Sequence, residues 1–186
     1  MADLYVALLH HPVYDKNGAV VTTSVTNLDV HDIARLARTF GVRAFYVCTP
    51  VPTLRRLVER IMRHWETGPG STYNVTRKEA LRVVRLVADL DEAMADVERE
   101  TAVLPRVVAT SARPGAERLS FAALRARLDA PGPPALLVLG TGWGLTRDVL
   151  ARADDVLQPI GGAGDYNHLS VRAAAAIMLD RLRGDR

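Results

Sequence analysis

The sequence predicts an α/β fold: a mostly parallel sheet of about six strands with helices on both faces. Two observations carry this expectation. Strand and helix patterns alternate about six times along the chain, the arrangement that produces parallel crossovers. The first strand pattern, Leu4 to Leu9 (LYVALL), is apolar without interruption, as in a strand buried on both faces of a parallel sheet. A third observation points to a site. Leu136 to Leu145 (LLVLGTGWGL) runs straight into Gly140, Gly142 and Gly144, and Val156 to Leu182 (VLQPIGGAGDYNHLSVRAAAAIMLDRL) contains a second cluster at Gly161, Gly162 and Gly164. Glycine turns at the C-terminal ends of strands are where open α/β sheets build small-molecule sites.

The elements follow in order. After the first strand, His10 to Thr26 reads as a long polar loop with an Asn17-Gly18 turn signal. Asn27 or Asp29 is the expected cap of a helix carrying Ile33, Leu36, Ala37 and Phe40 at helical spacing and stopped by Gly41. Ala44 to Val47 is the second strand. Pro52-Thr53 opens a helix with Leu54, Leu57, Val58, Ile61 and Trp65 on one stripe, broken by Gly68-Pro69-Gly70. Thr76 to Glu79 fits a capping box for a short helix. Val83 to Ala88 reads as a strand, with Asp89 starting a helix to about Glu100; one long helix over 76–100 is the alternative. Val107 to Thr110 is a short strand, and Ser120 caps a helix to about Leu128. Pro131 to Pro134 is a rigid connector. Leu136 to Leu139 is a central strand, Thr146 to Ala151 a short helix, Val156 to Ile160 a last strand and Ser170 to Arg183 the closing helix.

The 186 residues, 48% hydrophobic and 24% charged, suit a single domain over 1–186. No apolar stretch approaches the roughly 18 residues of a membrane span, and the N-terminal residues lack signal-peptide character. The single cysteine, Cys48, excludes an internal disulfide. A cytoplasmic protein is expected. Net charge is +3, a mild excess that permits a nucleic-acid partner without requiring one. Only Lys16 and Lys78 are lysine among 24 basic residues; the rest are arginine.

The glycine pattern argues against other nucleotide folds. G-x-G-x-G after a late strand is not the G-x-G-x-x-G of a dinucleotide fold, and no Gly-Lys-Ser/Thr loop is present. The pair of glycine turns, with Tyr166-Asn167-His168-Leu169-Ser170-Val171, resembles the cofactor-binding region of the SPOUT superfamily of RNA methyltransferases. The resemblance covers nearly the whole chain. It looks closest to a bacterial group of knot-only proteins, related to the C-terminal family of the tRNA guanine-N1 methyltransferase neighbourhood. It implies a C-terminal trefoil knot, a rare exception to unthreaded topology. It also implies S-adenosyl-L-methionine held over three loops mostly by main-chain groups. The residues it assigns to the cofactor are Thr110 and Ser111, then Leu139, Gly140, Thr141, Gly142 and Gly144, then Ile160, Gly161, Gly162, Asn167, His168, Leu169 and Ser170. No metal is implied. The implied activity is methylation of RNA, a tRNA or rRNA, by a homodimer that pairs through its first and last helices. A catalytically silent cofactor- and RNA-binding protein, or a methyltransferase for a small molecule or protein, are the alternatives.

A second segment, Asn27 to Val42, is similar to the first motif of the superfamily's ribose 2′-O methyltransferases. Arg35 stands at the motif's arginine, six residues before Gly41 of a Gly-Val pair, and Asp29 stands where the motif has asparagine. This resemblance makes Arg35 the candidate for contacting a phosphate or the developing negative charge, although a solvated helix arginine fits the same pattern. Asp29 and Asp165 are the candidate proton acceptors. His10, His11, His31, His64 and His168 lack zinc-ligand spacing; His10-His11 could face the cleft at the end of the first strand or serve structurally. Trp65, Tyr73 and Trp143 are candidates for stacking bases, with core packing the other role for Trp65. Gly68 to Thr76 is the candidate mobile segment.

Overall fold

The computed structural model describes residues 1–115, 117–164 and 166–185. Six parallel strands form one sheet: β1 (Leu4–Leu9), β4 (Phe45–Cys48), β5 (Val84–Val87), β6 (Arg106–Ala109), β7 (Ala135–Gly140) and β8 (Asp155–Val156), in the order β5-β4-β1-β7-β6-β8. β1 and β7 pair along their whole length, from Leu4–Ala135 to Leu9–Gly140. The uninterrupted apolar runs are explained by cover on both faces. Leu4, Val6 and Leu8 point into one core and Tyr5, Ala7 and Leu9 into the other, because side chains alternate across a strand. The first core is covered by α1 (Asn27–Thr39), α4 (Val75–Leu81), α6 (Phe121–Asp129) and α8 (Val171–Arg183); the second is covered by α5 (Leu90–Thr101) and α7 (Arg147–Ala151). α2 (Pro52–Glu66) packs through buried Val58.

Local chemistry sets the boundaries. Gly41 lies at φ +67° and lets Val42 N–H reach back to Ala37 O at 2.9 Å, closing α1 with a left-handed cap. Asp89, Ser120, Thr146 and Ser170 cap the helices that follow them, each side chain accepting from a main-chain N–H in the first turn. The 76–100 segment is α4, β5 and α5, not one helix.

Several expectations are corrected or refined. The cap of α1 is Thr26, whose hydroxyl accepts from Asp29 N–H at 3.1 Å, not Asn27 or Asp29. The cap of α4 is Asn74, accepting from Arg77 N–H at 2.9 Å, so the Thr76 box does not form. The polar 10–26 segment contains a small hairpin, β2 (Val13–Tyr14) and β3 (Val20–Val21), turned by Gly18 at φ +81°; Asp15 Oδ1 accepts from Asn17 and Ala19 N–H. A further short helix, α3 (Gly70–Tyr73), stands within the segment expected to be mobile. The last strand holds two residues instead of the expected 156–160. Pro159 has no N–H to continue the ladder, and Leu157 pairs only as an isolated bridge with Leu119.

Candidate functional site

All six strands of the sheet run the same way, so their C-terminal ends share one edge. Three loops converge there. The loop after β6 begins with Thr110, buried, its hydroxyl donating to Val138 O at 2.9 Å, and Ser111, whose Oγ accepts from Arg113 N–H at 3.1 Å. The loop after β7 runs from Gly140 to Leu145. The segment after β8 runs from Leu157 to Ser170, which caps α8. Asn167 Nδ2 donates to Ala112 O at 3.4 Å, joining the third loop to the first. The His168 ring lies edge-on to Trp143 at 6.2 Å between centroids, joining the third loop to the second, and Tyr166 meets His168 at 5.4 Å. Leu139 and Ile160 are buried beneath, and Leu169 is exposed.

The two glycine turns differ. In the first, Thr141 N–H donates to Leu9 O at 3.2 Å, Trp143 N–H to Tyr14 O at 2.8 Å and Gly144 N–H to Thr141 O at 3.1 Å, while Gly144 O accepts from Tyr14 N–H at 2.9 Å. The Thr141 hydroxyl donates to Leu9 O at 3.0 Å and lies 2.5 Å from that of Thr23. The expectation that this turn leaves its backbone open to a ligand is therefore corrected: most of it is tied to β1 and the hairpin. Gly142 lies at φ +59°, and a Cβ there would sit 2.7 Å from Tyr14 O, so close approach of the hairpin already demands glycine. In the second turn, among the described residues, no main-chain hydrogen bond to another main-chain group involves residues 159–169. A Cβ on Gly161 or Gly164 would meet nothing within 4 Å. Main-chain N–H and C=O groups require partners when covered. This exposed loop has them to offer, which fits a cofactor gripped by backbone.

Arg35 is exposed on α1. It lines a cavity of about 430 Å³ between α1 and α8, with Asp32, Ser170, Arg172 and Ala173. The structure thus brings Arg35 together with Ser170, the last residue of the third loop. Asp29 is 7% exposed. Its Oδ2 accepts from the Thr26 hydroxyl at 2.6 Å and its Oδ1 from Arg172 Nη1 at 3.2 Å. Both oxygens are engaged, one by a cation. That arrangement ties α1 to α8, with both carboxylate oxygens of Asp29 held by protein groups. Asp165 lies outside the described residues.

Other groups fall elsewhere. His10, just after β1, is fully buried, and that burial lowers its pKa. The His11 ring is 3.1 Å from the Thr22 hydroxyl. Trp65 packs inside: Arg77 covers its ring at 4.8 Å, and a Cβ on Gly70 would lie 2.7 Å from Trp65 Cε3. Trp143 and Tyr73 are exposed at 53% and 87%. Cys48 is buried, which pushes its thiol pKa far up. Sequence reasoning missed the hairpin that clamps the first glycine turn, because strands of two residues leave no periodic signal. It also missed a cationic groove beside α1; Arg35, Arg60 and Arg77 sit on separate elements, and no spacing rule links them. Among the described residues, no helix is long and apolar enough to cross a membrane.

Comparison with known proteins agrees with this geometry. A family model described as SAM-dependent RNA methyltransferase matches residues 3–184. A tRNA (guanine-N(1)-)-methyltransferase of Oleidesulfovibrio alaskensis is 48% identical over 98% of this chain, which spans 42% of that protein. An uncharacterized Aquifex aeolicus protein is 41% identical, with 97% of this chain and 88% of that one aligned. Among solved structures, a TrmH/SpoU tRNA-modifying enzyme of A. aeolicus superposes with a TM-score of 0.57 at 16% identity, over 98% of this chain and 75% of that one. The parallel α/β sheet expected from the sequence is the one observed, and it superposes on that TrmH/SpoU structure. The chain spans less than half the length of the Oleidesulfovibrio protein, but the family model covers almost all of it: this chain belongs to the SAM-dependent RNA methyltransferase family.

Proposed function

We propose that this chain is a single domain that transfers the methyl group of S-adenosyl-L-methionine to a tRNA or rRNA, as a cytoplasmic homodimer and without a metal. The observation that carries the proposal is the convergence of three loops on one sheet edge, the third with its main chain unpaired over 159–169 among the described residues. In this reading, main-chain groups of Ile160, Gly161, Gly162, Leu169 and Ser170 hold the cofactor. Thr110, Ser111, Leu139 and Gly140 form the floor. Thr141, Gly142 and Gly144 act by holding that floor rigid, and Asn167 and His168 keep the third loop in place. The bound cofactor supplies an electrophilic sulfonium methyl, transferred in line to a nucleophile on the RNA. Arg35, beside Ser170, supports charge on the nucleophile or a flanking phosphate. Asp29 and Asp165 are the candidate proton acceptors.

A trefoil knot also belongs to the proposal. Leu119 N–H donates to Val156 O and Gln158 N–H to Leu119 O, both at 2.9 Å, so the chain just before the third loop lies along the segment that it would thread. The homodimer is supported by α8, whose Ala173 and Ala176 are only half-buried and line a cavity with Arg35 and Leu36 of α1.

Calorimetry tests the cofactor reading. S-adenosylhomocysteine is expected to bind at micromolar levels, about −8 kcal/mol, and NAD is not. NAD binding without S-adenosylhomocysteine binding overturns it. Nucleoside mass spectrometry of RNA incubated with the protein and S-adenosylmethionine then reads the target.

A further inference from the structure

We infer that the groove between α1, α2 and α4 is a phosphodiester track that holds RNA by its backbone without reading bases. This deepens the proposed function and rests on it. The groove, about 590 Å³, presents Arg35 of α1, Arg60 of α2 and Arg77 of α4, with His31 and His64 beside them. That size lies in the range of sites for nucleotide-sized ligands, roughly 300–1,000 Å³.

Three features point to phosphate. The first is unpaired charge. Among the described residues none of Arg35, Arg60 and Arg77 sits in an ion pair, and the three lie on one groove. Unpaired guanidiniums converging from three helices make an electrostatic footprint for an anion. The one carboxylate lining the groove, Asp32, is drawn toward Arg172, 3.6 Å away. The second is a polar group without a partner. Among the described residues the buried Arg77 Nε and His31 Nδ1 find no hydrogen-bond partner. The third is continuity: Arg35 and Asp32 line both this groove and the α1–α8 cavity that holds Ser170, so a strand laid along the groove leads toward the cofactor loops.

The aromatic residue explains the absence of base reading. Trp65 lines the groove with Arg77 over its ring, so the face that would stack on a base carries a guanidinium instead. The guanidinium of Arg77 is held in place by that ring, which orients its outer nitrogens for a phosphate.

The test is fluorescence anisotropy of a labelled, unmodified tRNA transcript and of a single strand of unrelated sequence, over a salt series. Arg60→Ala and Arg60→Ala/Arg77→Ala are compared with the wild type, with Arg77→Lys as the variant that keeps the charge. The double variant is expected to bind both RNAs at least tenfold more weakly and to flatten the salt slope by about 1 to 2. Arg77→Lys should keep the slope. Millimolar inorganic phosphate should not displace the RNA, and poly-glutamate should bind far more weakly than RNA. Among the described residues the Arg60 side chain has no hydrogen bond or ion pair, so its variant reads the track even if Arg77→Ala disturbs Trp65. Unchanged affinity and slope in Arg60→Ala and in the double variant overturn the inference. So do loss confined to one sequence, displacement by phosphate alone, poly-glutamate binding as tight as RNA, or no RNA binding by the wild type. S-adenosylhomocysteine calorimetry separates the failures: lost cofactor binding with an intact Arg60 effect sinks the enzyme and leaves the track.

Discussion

The two glycine turns look alike as sequence and differ as structure. The 140–144 turn is woven into its surroundings by hydrogen bonds to Leu9 and Tyr14 and by a hydroxyl pair with Thr23. The 161–164 turn has no such ties among its described residues. A glycine therefore reports on two different requirements. In the first turn it allows protein to approach protein; in the second it leaves main chain exposed, as the proposed cofactor site requires.

The largest expected effect separates the two. At Gly142 a side chain meets both a positive φ and Tyr14 O at 2.7 Å. Gly142→Val is expected to cost about 3 kcal/mol of stability, read as a shifted urea midpoint, because strain and displacement of the hairpin add. At Gly162 a Cβ would meet only Tyr166 O, at 3.5 Å, an ordinary contact. Gly162→Val is expected to leave the midpoint in place and to weaken S-adenosylhomocysteine binding at least tenfold, about 1.4 kcal/mol. The contrast fails if both variants unfold alike, or if Gly142→Val alone loses cofactor at full stability.

Much of this was legible from the chain. β1 and β7 announced themselves because strands buried on both faces must be apolar throughout. Ser120 and Ser170 were readable as caps because their hydroxyls satisfy first-turn N–H groups whatever the tertiary context. The caps Thr26 and Asn74 were not, since several polar residues crowd those positions and only backbone geometry chooses among them. The clamp on Gly142 was invisible for another reason. It depends on Tyr14 and Thr23, more than a hundred residues away in sequence, and no local period encodes such a pairing. The partner of Asp29 was out of reach in the same way: Arg172, which holds its carboxylate, lies on the last helix.

Arg35 tests whether the region around the open turn is also where chemistry happens. It stands beside Ser170 with no carboxylate partner among the described residues. Arg35→Ala is expected to leave S-adenosylhomocysteine affinity within about twofold and to lower methyl transfer by ~10²-fold, the loss typical of one transition-state donor. Transfer assays at saturating cofactor read it. Because Arg35 also lines the phosphate track, the assay is repeated at saturating RNA. A deficit that vanishes there assigns Arg35 to RNA binding alone, and an unchanged rate under both conditions makes it a surface charge.

The smallest effect bears most closely on the clamped turn. Thr141 was expected to touch the cofactor, yet its hydroxyl faces protein: it donates to Leu9 O and sits against the Thr23 hydroxyl. Thr141→Val keeps the shape and removes the oxygen. The bond to Leu9 O and the contact with the Thr23 hydroxyl are both lost, while Thr23 keeps His10 O at 3.4 Å as an acceptor, so the expected cost is about 1 kcal/mol, measured by chemical denaturation. Thr23→Val should cost a similar amount, and the double variant less than the two together, because the pair shares one interaction. Cofactor affinity should stay the same in all three. If Thr141→Val instead weakens S-adenosylhomocysteine tenfold at unchanged stability, the hydroxyl reaches the ligand in the bound state, and the two glycine turns are then two halves of one binding surface.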